Sequence, residues 1–195
     1  MLKKNLKPEP PIVAFVSVAK WEEWLKKNHA SSSGVWFYFQ KKCSDRKSPT
    51  HAEALDSALC YGWIDGQAKP RDENSWLQKF TRRRSRSGWS KRNTEHAKRL
   101  IRTGKMKPAG LKEVVAAKKD GRWKTAYDSP SNAIIPDDFL NRLRRNKKAQ
   151  AFFNSLNKAN LYSIAYRLQT AKRPETRERR MIVILNMMAK GEKFH

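Results

Sequence analysis

The sequence has little cysteine, few acidic residues and no long apolar run. Cys43 and Cys60 are the only cysteines among 195 residues. Two cysteines are too few for a disulfide scaffold and are typical of a reducing compartment. No apolar run approaches the roughly 20 residues that cross a bilayer, and residues 12–19 lack the length and cleavage site of a secretory signal. These absences predict a cytoplasmic protein with no transmembrane segment.

Motifs for common catalytic and metal sites are missing as well. The sequence has no phosphate-binding P-loop, dinucleotide-binding phrase or serine-hydrolase elbow. Its histidines show no metal-ligand spacing, so we predict no metal and no cofactor; they are His29, His51, His96 and His195. Cys60 and His51 share a predicted helix, but a rise of about 1.5 Å per residue places them roughly 13 Å apart. Whether the protein is an enzyme therefore stays open, because no catalytic motif is complete.

Positive charge is the strongest signal that is present. The chain has 43 Lys and Arg against 18 Asp and Glu, a net charge of +25. The excess is uneven, since residues 71–129 carry 18 basic and 6 acidic groups. Such a balance predicts a polyanion, an anionic surface or a phosphorylated ligand as the partner. The alternative is that the charge serves solubility alone.

The hydrophobic pattern predicts an α+β fold. Residues 34–41, 62–69 and 75–81 have the composition of strands, and residues 70–74 between the last two indicate an antiparallel hairpin. Helices are predicted at 18–28, 50–61, 90–103 and 108–119, so a small antiparallel sheet is flanked by helices. Beyond about residue 130 the periodicity is helical throughout. We therefore predict an α+β domain over 1–129 and a C-terminal helical module over 130–195.

An arginine-rich stretch at the end of the second hairpin strand is the main candidate site. Guanidinium groups bind phosphates in bidentate fashion, and the free N–H groups at a helix N-terminus favour an anion. The tryptophan in this stretch offers a face on which a base can stack. The predicted anion-binding residues here are Arg82, Arg83, Arg84, Arg86, Trp89, Ser90 and Lys91. The alternative is a solvated basic loop whose Trp89 belongs to the core.

Asp65 is the second candidate, because a carboxylate in a strand needs a cation nearby. Alternation places Trp63 and Asp65 on one face of their strand. The pair could orient a ligand held by the arginines, or Asp65 could form a structural pair with one of them. A third candidate is the basic stripe of the last helix, whose members follow 3- and 4-residue spacing; they are Arg173, Arg177 and Arg180. This stripe is either a second phosphate-contacting patch or a solvated face.

Five phrases of the sequence resemble one protein family. They are ALDSALCYGWIDG, FTRRRSRSGWSKRN, GKMKPAG, AKKDGRW and AKRPETRERR. In this order, over about residues 21–189, they resemble the YdeI/OmpD-associated (OmdA-like) proteins, also labelled bacteriocin-protection proteins. Arg82 and Ser85 stand where that family usually has prolines, whereas the other key positions align: Arg83, Arg84, Arg86 and Trp89. The resemblance implies a link to envelope stress and to resistance against cationic or bacteriocin peptides.

Two functions are compatible with these features. The first is a cytoplasmic protein that binds a polyanion, with nucleic acid as one candidate, through the arginine stretch and the C-terminal stripe. The second is an enzyme or sensor for a small phosphorylated or carboxylated ligand, held by Asp65 and the cluster of Arg83, Arg84 and Arg86. The ligand, the oligomeric state and the strand order are not decided by the sequence.

Overall fold

The computed structural model describes residues 9–41 and 48–194, so Cys43 and His195 lie outside the described residues. The α+β fold is confirmed. The chain divides into two compact units. The first, here called the sheet unit, comprises residues up to Ser87 together with Glu95–Trp123. The second, here called the helical unit, comprises Gly88–Thr94 and the chain from Lys124 onward. The division into domains at residue 129 stays a prediction.

The sheet unit contains four strands in the order β1-β2-β4-β3. They span β1 Ile12–Ala14, β2 Val35–Gln40, β3 Trp63–Asp72 and β4 Ser75–Arg82. The hairpin is confirmed, since β3 pairs antiparallel with β4, which pairs antiparallel with β2. The structure adds β1, which pairs parallel with β2 at the edge of the sheet. Pro70 lies inside β3 rather than in the turn, a position that an edge strand tolerates.

The first four helices follow the predicted ranges closely. They span α1 Val18–Asn28, α2 His51–Cys60, α3 Lys91–Arg102, α4 Pro108–Lys119, α5 Asp137–Leu143, α6 Lys147–Asn154, α7 Lys158–Gln169 and α8 Pro174–Lys190. Ser17 caps α1, and Thr50 and Glu53 form a reciprocal capping box on α2. Gly62 follows α2 with φ of 74°, the left-handed conformation expected of a glycine that ends a helix.

Aromatic residues form the core of the sheet unit. The ring of Phe37 stacks on Phe39 at 4.2 Å between centroids, and Trp21 of α1 lies 5.2 Å from Phe37 and 5.5 Å from Phe80. The buried indole N–H of Trp21 donates to the carbonyl of Ala54 in α2 at 3.0 Å. One side chain thus joins two helices to the sheet, and its polar atom is satisfied.

Helix α4 approaches α2 very closely. A Cβ atom added to Gly110 would lie 2.4 Å from the carbonyl oxygens of both Leu59 and Cys60. Only glycine permits this contact between a helix and the C-terminus of its neighbour. The close approach therefore fixes α4 and the segment before it against α2.

The helical unit has its own apolar core. Helices α5–α8 bury side chains at the 3–4 spacing of their apolar stripes. On α8 the buried side chains are Met181, Ile184 and Met188, which are at most 1% exposed. The other core members are Phe139, Leu143, Ala149, Ile164 and Leu168.

Candidate functional site

The arginine loop, residues 82–87, leaves β4 at the end of the sheet unit. Its backbone is held at both ends. The backbone N–H of Arg83 donates to the carbonyl of Gly62 at 3.0 Å, and the backbone N–H of Ser87 donates to the carbonyl of Arg84 at 2.9 Å. The hydroxyl of Ser87 also accepts the N–H of Arg84 at 3.0 Å. These bonds close a tight turn with Ser85 and Arg86 at its tip. The loop is therefore ordered without needing a ligand.

The four arginines of this loop have different surroundings. Arg83 is only 5% exposed, whereas Arg82, Arg84 and Arg86 are exposed. The guanidinium of Arg82 donates to the carbonyl of Ala30. Within residues 9–41 and 48–194, no carboxylate forms an ion pair with Arg82, Arg84 or Arg86. Three of the four predicted guanidinium groups are thus available to an external anion.

Arg122 is a positioning residue that the sequence analysis missed. It is 4% exposed. Its Nε donates to the carboxylate of Asp120 at 2.7 Å, and its Nη1 donates to the carbonyl of Ser87 at 2.8 Å. A buried arginine thereby anchors the last residue of the arginine loop. The phrase AKKDGRW contained both Asp120 and Arg122, but nothing in it indicated a partner 35 residues upstream.

The two tryptophans predicted to contact a ligand lie in the interior. Trp63 is 0% exposed, and its indole N–H donates to the carbonyl of His29 at 3.1 Å. Trp89, in the helical unit, is 2% exposed. Rings this deeply buried offer no face for stacking on a ligand. The structure thus places Trp63 and Trp89 in the core rather than at a pocket wall. Burying these large apolar rings is more favourable than leaving them exposed to water.

Asp65 is paired with a histidine rather than with an arginine. Its Oδ2 lies 3.3 Å from Nε2 of His51, the first residue of α2. The ring of His51 in turn lies 5.9 Å from that of Trp76 and 6.0 Å from that of Phe39. From the sequence, His51 was weighed only as a metal ligand and as a partner of Cys60, and neither interpretation indicated Asp65. The strand pairing that brings α2 above β3 was needed to identify this contact.

Ser90 and Lys91 belong to the helical unit. The hydroxyl of Ser90 accepts the N–H of Asn93 at 3.2 Å and so caps α3. The ammonium of Lys91 lies 2.7 Å from the carboxylate of Asp128. This hydrogen bond from Lys91 is the main reason why the pKa of Asp128 lies below its ordinary value. Lys91 is therefore less available to an anion than the arginine loop is.

The C-terminal stripe is also largely engaged within its own unit. Arg177 pairs with Asp138, and its hydrogen bond lowers the pKa of that carboxyl. Arg180 donates to the carbonyl of Arg167 at 2.7 Å and to the hydroxyl of Thr170 at 3.3 Å. Arg173 is exposed at the N-cap of α8. Two of the three predicted residues thus connect helices, and Arg173 alone of the three has no partner among residues 9–41 and 48–194.

A polar cluster in the sheet unit was missed by the sequence analysis. Asp56 of α2 accepts from Nη2 of Arg99 at 2.6 Å and lies 2.7 Å from Nδ1 of His96. Burial alone would raise the pKa of Asp56, but the hydrogen bonds from Arg99 and His96 together lower it below its ordinary value. The 3-residue spacing of His96 and Arg99 on α3 could have indicated a shared partner.

Cys60 lies beside this cluster and is buried. Burial, followed by the charges of Glu22 and Asp56, raises the pKa of its thiol to about 11. At neutral pH the thiol is protonated, which makes it a poor nucleophile. In the part of the chain that the structure describes, no three His, Cys, Asp or Glu side chains gather as a metal site would require. None of the described helices is both long and apolar enough to span a membrane.

Comparison with known proteins places this geometry in a family context. Residues 13–113 match the family model described as Domain of unknown function (DUF8412). Residues 132–191 match the family model described as Bacteriocin-protection, YdeI or OmpD-Associated. The resemblance predicted from the sequence is thereby confirmed, with the match to that family in the C-terminal part. No curated protein and no solved structure matches the chain.

Proposed function

This chain belongs to the family described as Domain of unknown function (DUF8412), and its residues 132–191 match the YdeI/OmpD-associated model. Because the first description names no activity, we propose a function from the side chains that the protein exposes. It binds a polyanion, with nucleic acid as the first candidate, through Arg82, Arg84 and Arg86 of the arginine loop. We place this activity in the cytoplasm. We also propose a role in stress resistance, for which the support is the term "Bacteriocin-protection" in the description of the second family.

One contrast carries the proposal. Four arginines elsewhere in the described residues form ion pairs, among them Arg99 with Asp56 and Arg142 with Glu178. The arginine loop instead groups three exposed guanidinium groups, those of Arg82, Arg84 and Arg86, and none of them pairs with a carboxylate in the described ranges 9–41 and 48–194. The whole chain has a net charge of +25. An unpaired guanidinium binds phosphate without first giving up an internal ion pair.

The order of the loop adds to this support. The turn at Arg84–Ser87 is closed by backbone and hydroxyl hydrogen bonds, and Arg122 fixes its last carbonyl. A preformed loop loses less conformational entropy when it binds than a disordered one does. The loop therefore presents its guanidinium groups to an anion at a lower entropic cost.

The small-ligand alternative at Asp65 has less support. Asp65 already has His51 as its partner, and Trp63 is buried. Arg83, which that alternative also needs, is 5% exposed. The polymer proposal requires only side chains that reach solvent.

The test compares a double variant with a matched control. We expect Arg84→Ala/Arg86→Ala to weaken binding to short duplex DNA by at least about tenfold at 50 mM salt, since each lost phosphate contact removes part of a large electrostatic term. The control Arg144→Ala/Arg145→Ala removes the same charge from the helical unit and should change binding far less. Fluorescence anisotropy measures both.

Parallel titrations with single-stranded RNA and inorganic polyphosphate identify the polymer. Tighter binding of one polymer identifies the preferred class, and equal binding of all three indicates recognition of phosphate alone. If no polymer binds, or if both double variants lose affinity equally, the arginine loop is not the binding site.

A further inference from the structure

The sheet unit contains a cleft that does not involve the arginine loop. It lies between α1, α2 and the segment that joins α3 to α4, and its volume is about 490 Å³. This volume is in the range of sites that hold small molecules. Side chains of both charges line it, namely Glu22, Glu53, Asp56, Lys105 and Lys107, together with Ser57, Cys60 and Tyr61.

The three carboxylates of the cleft are engaged to different degrees. One oxygen of Glu53 accepts both the N–H and the hydroxyl of Thr50 in the capping box. Both oxygens of Asp56 accept from Arg99. Glu22 accepts only the hydroxyl of Ser57, at 2.9 Å, and no cation in the described residues pairs with it. Glu22 is therefore the carboxylate available to a positively charged group.

Lys105 and Lys107 supply the opposite charge. Both are exposed, and neither forms an ion pair with a carboxylate in the described ranges 9–41 and 48–194. Both residues line the same cleft, so an anion bound there would reduce the repulsion between their positive charges. Their arrangement is thus suited to a carboxylate or phosphate.

The backbone that carries these lysines is held in place. The backbone N–H of Lys105 donates to the carbonyl of Leu100 at 3.0 Å, and the backbone N–H of Lys107 donates to the carbonyl of Cys60 at 3.3 Å. Gly110, one turn into α4, lies against that same carbonyl. The lysines therefore start from fixed backbone positions relative to α2.

Buried polar groups lie at the base of the cleft. Ser57 is 4% exposed and Cys60 is 5% exposed. Burial raises the pKa of Cys60 most, Glu22 and Asp56 raise it further, and Lys107 and Lys105 lower it. Acidic and basic side chains that line the cleft thus both influence the pKa of the Cys60 thiol.

We propose that this cleft binds a small zwitterionic molecule, with its amine at Glu22 and its carboxylate or phosphate at Lys105 and Lys107. An ion pair at each end gives specificity for a molecule that carries both charges. A molecule with one charge forms one of the two contacts and leaves the other charge of the cleft unpaired.

Isothermal titration calorimetry tests this with probes that carry two charges or one. The probes with charges of both signs, here called two-charge probes, are γ-aminobutyrate and phosphoethanolamine, and the one-charge probes are butylamine and butyrate. We expect at least one two-charge probe to bind about tenfold more tightly than either one-charge probe, because a one-charge probe forms only one of the two charge-assisted contacts. If no probe binds at millimolar concentration, or if butyrate binds as tightly as the two-charge probes, the proposal is wrong.

Two variants separate the ends of the site. Glu22→Gln keeps an acceptor for Ser57 and should weaken the two-charge probes about tenfold without affecting butyrate. Lys107→Met keeps the apolar stem and should weaken both butyrate and the two-charge probes. Glu23→Gln and Lys112→Met, exposed neighbours that do not line the cleft, are the matched controls and should leave all binding unchanged. Equal losses in the controls would mean that the probes respond to general surface charge.

Discussion

Replacing Gly110 by alanine tests the packing that supports both the fold and the cleft. Gly110 lies inside α4, where alanine is favoured over glycine by about 1 kcal/mol. In this structure, however, the new Cβ would lie 2.4 Å from the carbonyl oxygens of Leu59 and Cys60 and 2.5 Å from the sulfur of Met106. The steric conflict and the helix propensity therefore act in opposite directions.

The geometry indicates that the conflict is larger than the gain. Two of the three close atoms are backbone oxygens, which cannot rotate away as a side chain can. Helix α4 must then move by about 1 Å, and overpacking of this kind costs about 3 kcal/mol at the upper end of its usual range. After subtracting the gain in helix propensity, we expect Gly110→Ala to lower the free energy of unfolding by about 2 kcal/mol.

Urea denaturation followed by tryptophan fluorescence measures this change. Gly66→Ala is the matched control, because its Cβ would meet only the carbonyl of Lys79 at an ordinary 3.6 Å. The control should change the free energy of unfolding by no more than about 0.5 kcal/mol. A Gly110→Ala variant as stable as the native protein, or more stable, would refute the close packing of α4 on α2.

Three further predictions concern helix α2 of the sheet unit. Thr50→Ala removes the N-cap of α2 and should lower the free energy of unfolding by about 1 kcal/mol in urea denaturation; an unchanged midpoint would contradict the capping box. Because the folded pKa of Asp56 is lowered, its contribution to stability is present above the unfolded pKa of about 4 and is lost as pH falls through the folded value. Asp56→Asn should therefore be less stable than the native protein at pH 7 by thermal denaturation, and the difference should shrink in acid; a difference that is constant with pH would contradict this. In a Cys43→Ser background, Cys60 should react with a thiol reagent far more slowly in the folded than in the unfolded protein, since burial raises its pKa to about 11; equal rates would show that the thiol is accessible.

Local chemistry made most of the elements predictable. The capping box of α2, the proline at the start of α4 and the left-handed glycine after α2 each depend on residues within one or two turns of the chain. Strand β1 was not predicted, because three residues have no distinctive pattern and become a strand only by pairing with β2.

The surroundings of the site residues were less predictable than the elements. Alternation correctly placed Trp63 and Asp65 on one face of β3, but it could not show that this face packs against α2 and brings His51 to Asp65. The contact between Arg122 and Ser87 spans 35 residues and has no local signature. Composition identified the basic stretch, whereas only the tertiary structure distinguished exposed Arg84 and Arg86 from buried Arg83.

The salt dependence of DNA binding tests the proposed function most directly. The slope of log K against log salt reports the number of phosphates that the protein neutralises, at about 0.9 per phosphate on duplex DNA. We predict that Arg84→Ala/Arg86→Ala has a shallower slope than the native protein by about 2, while Arg144→Ala/Arg145→Ala retains the native slope. Identical slopes for the native protein and the loop variant would contradict polyanion binding through the arginine loop.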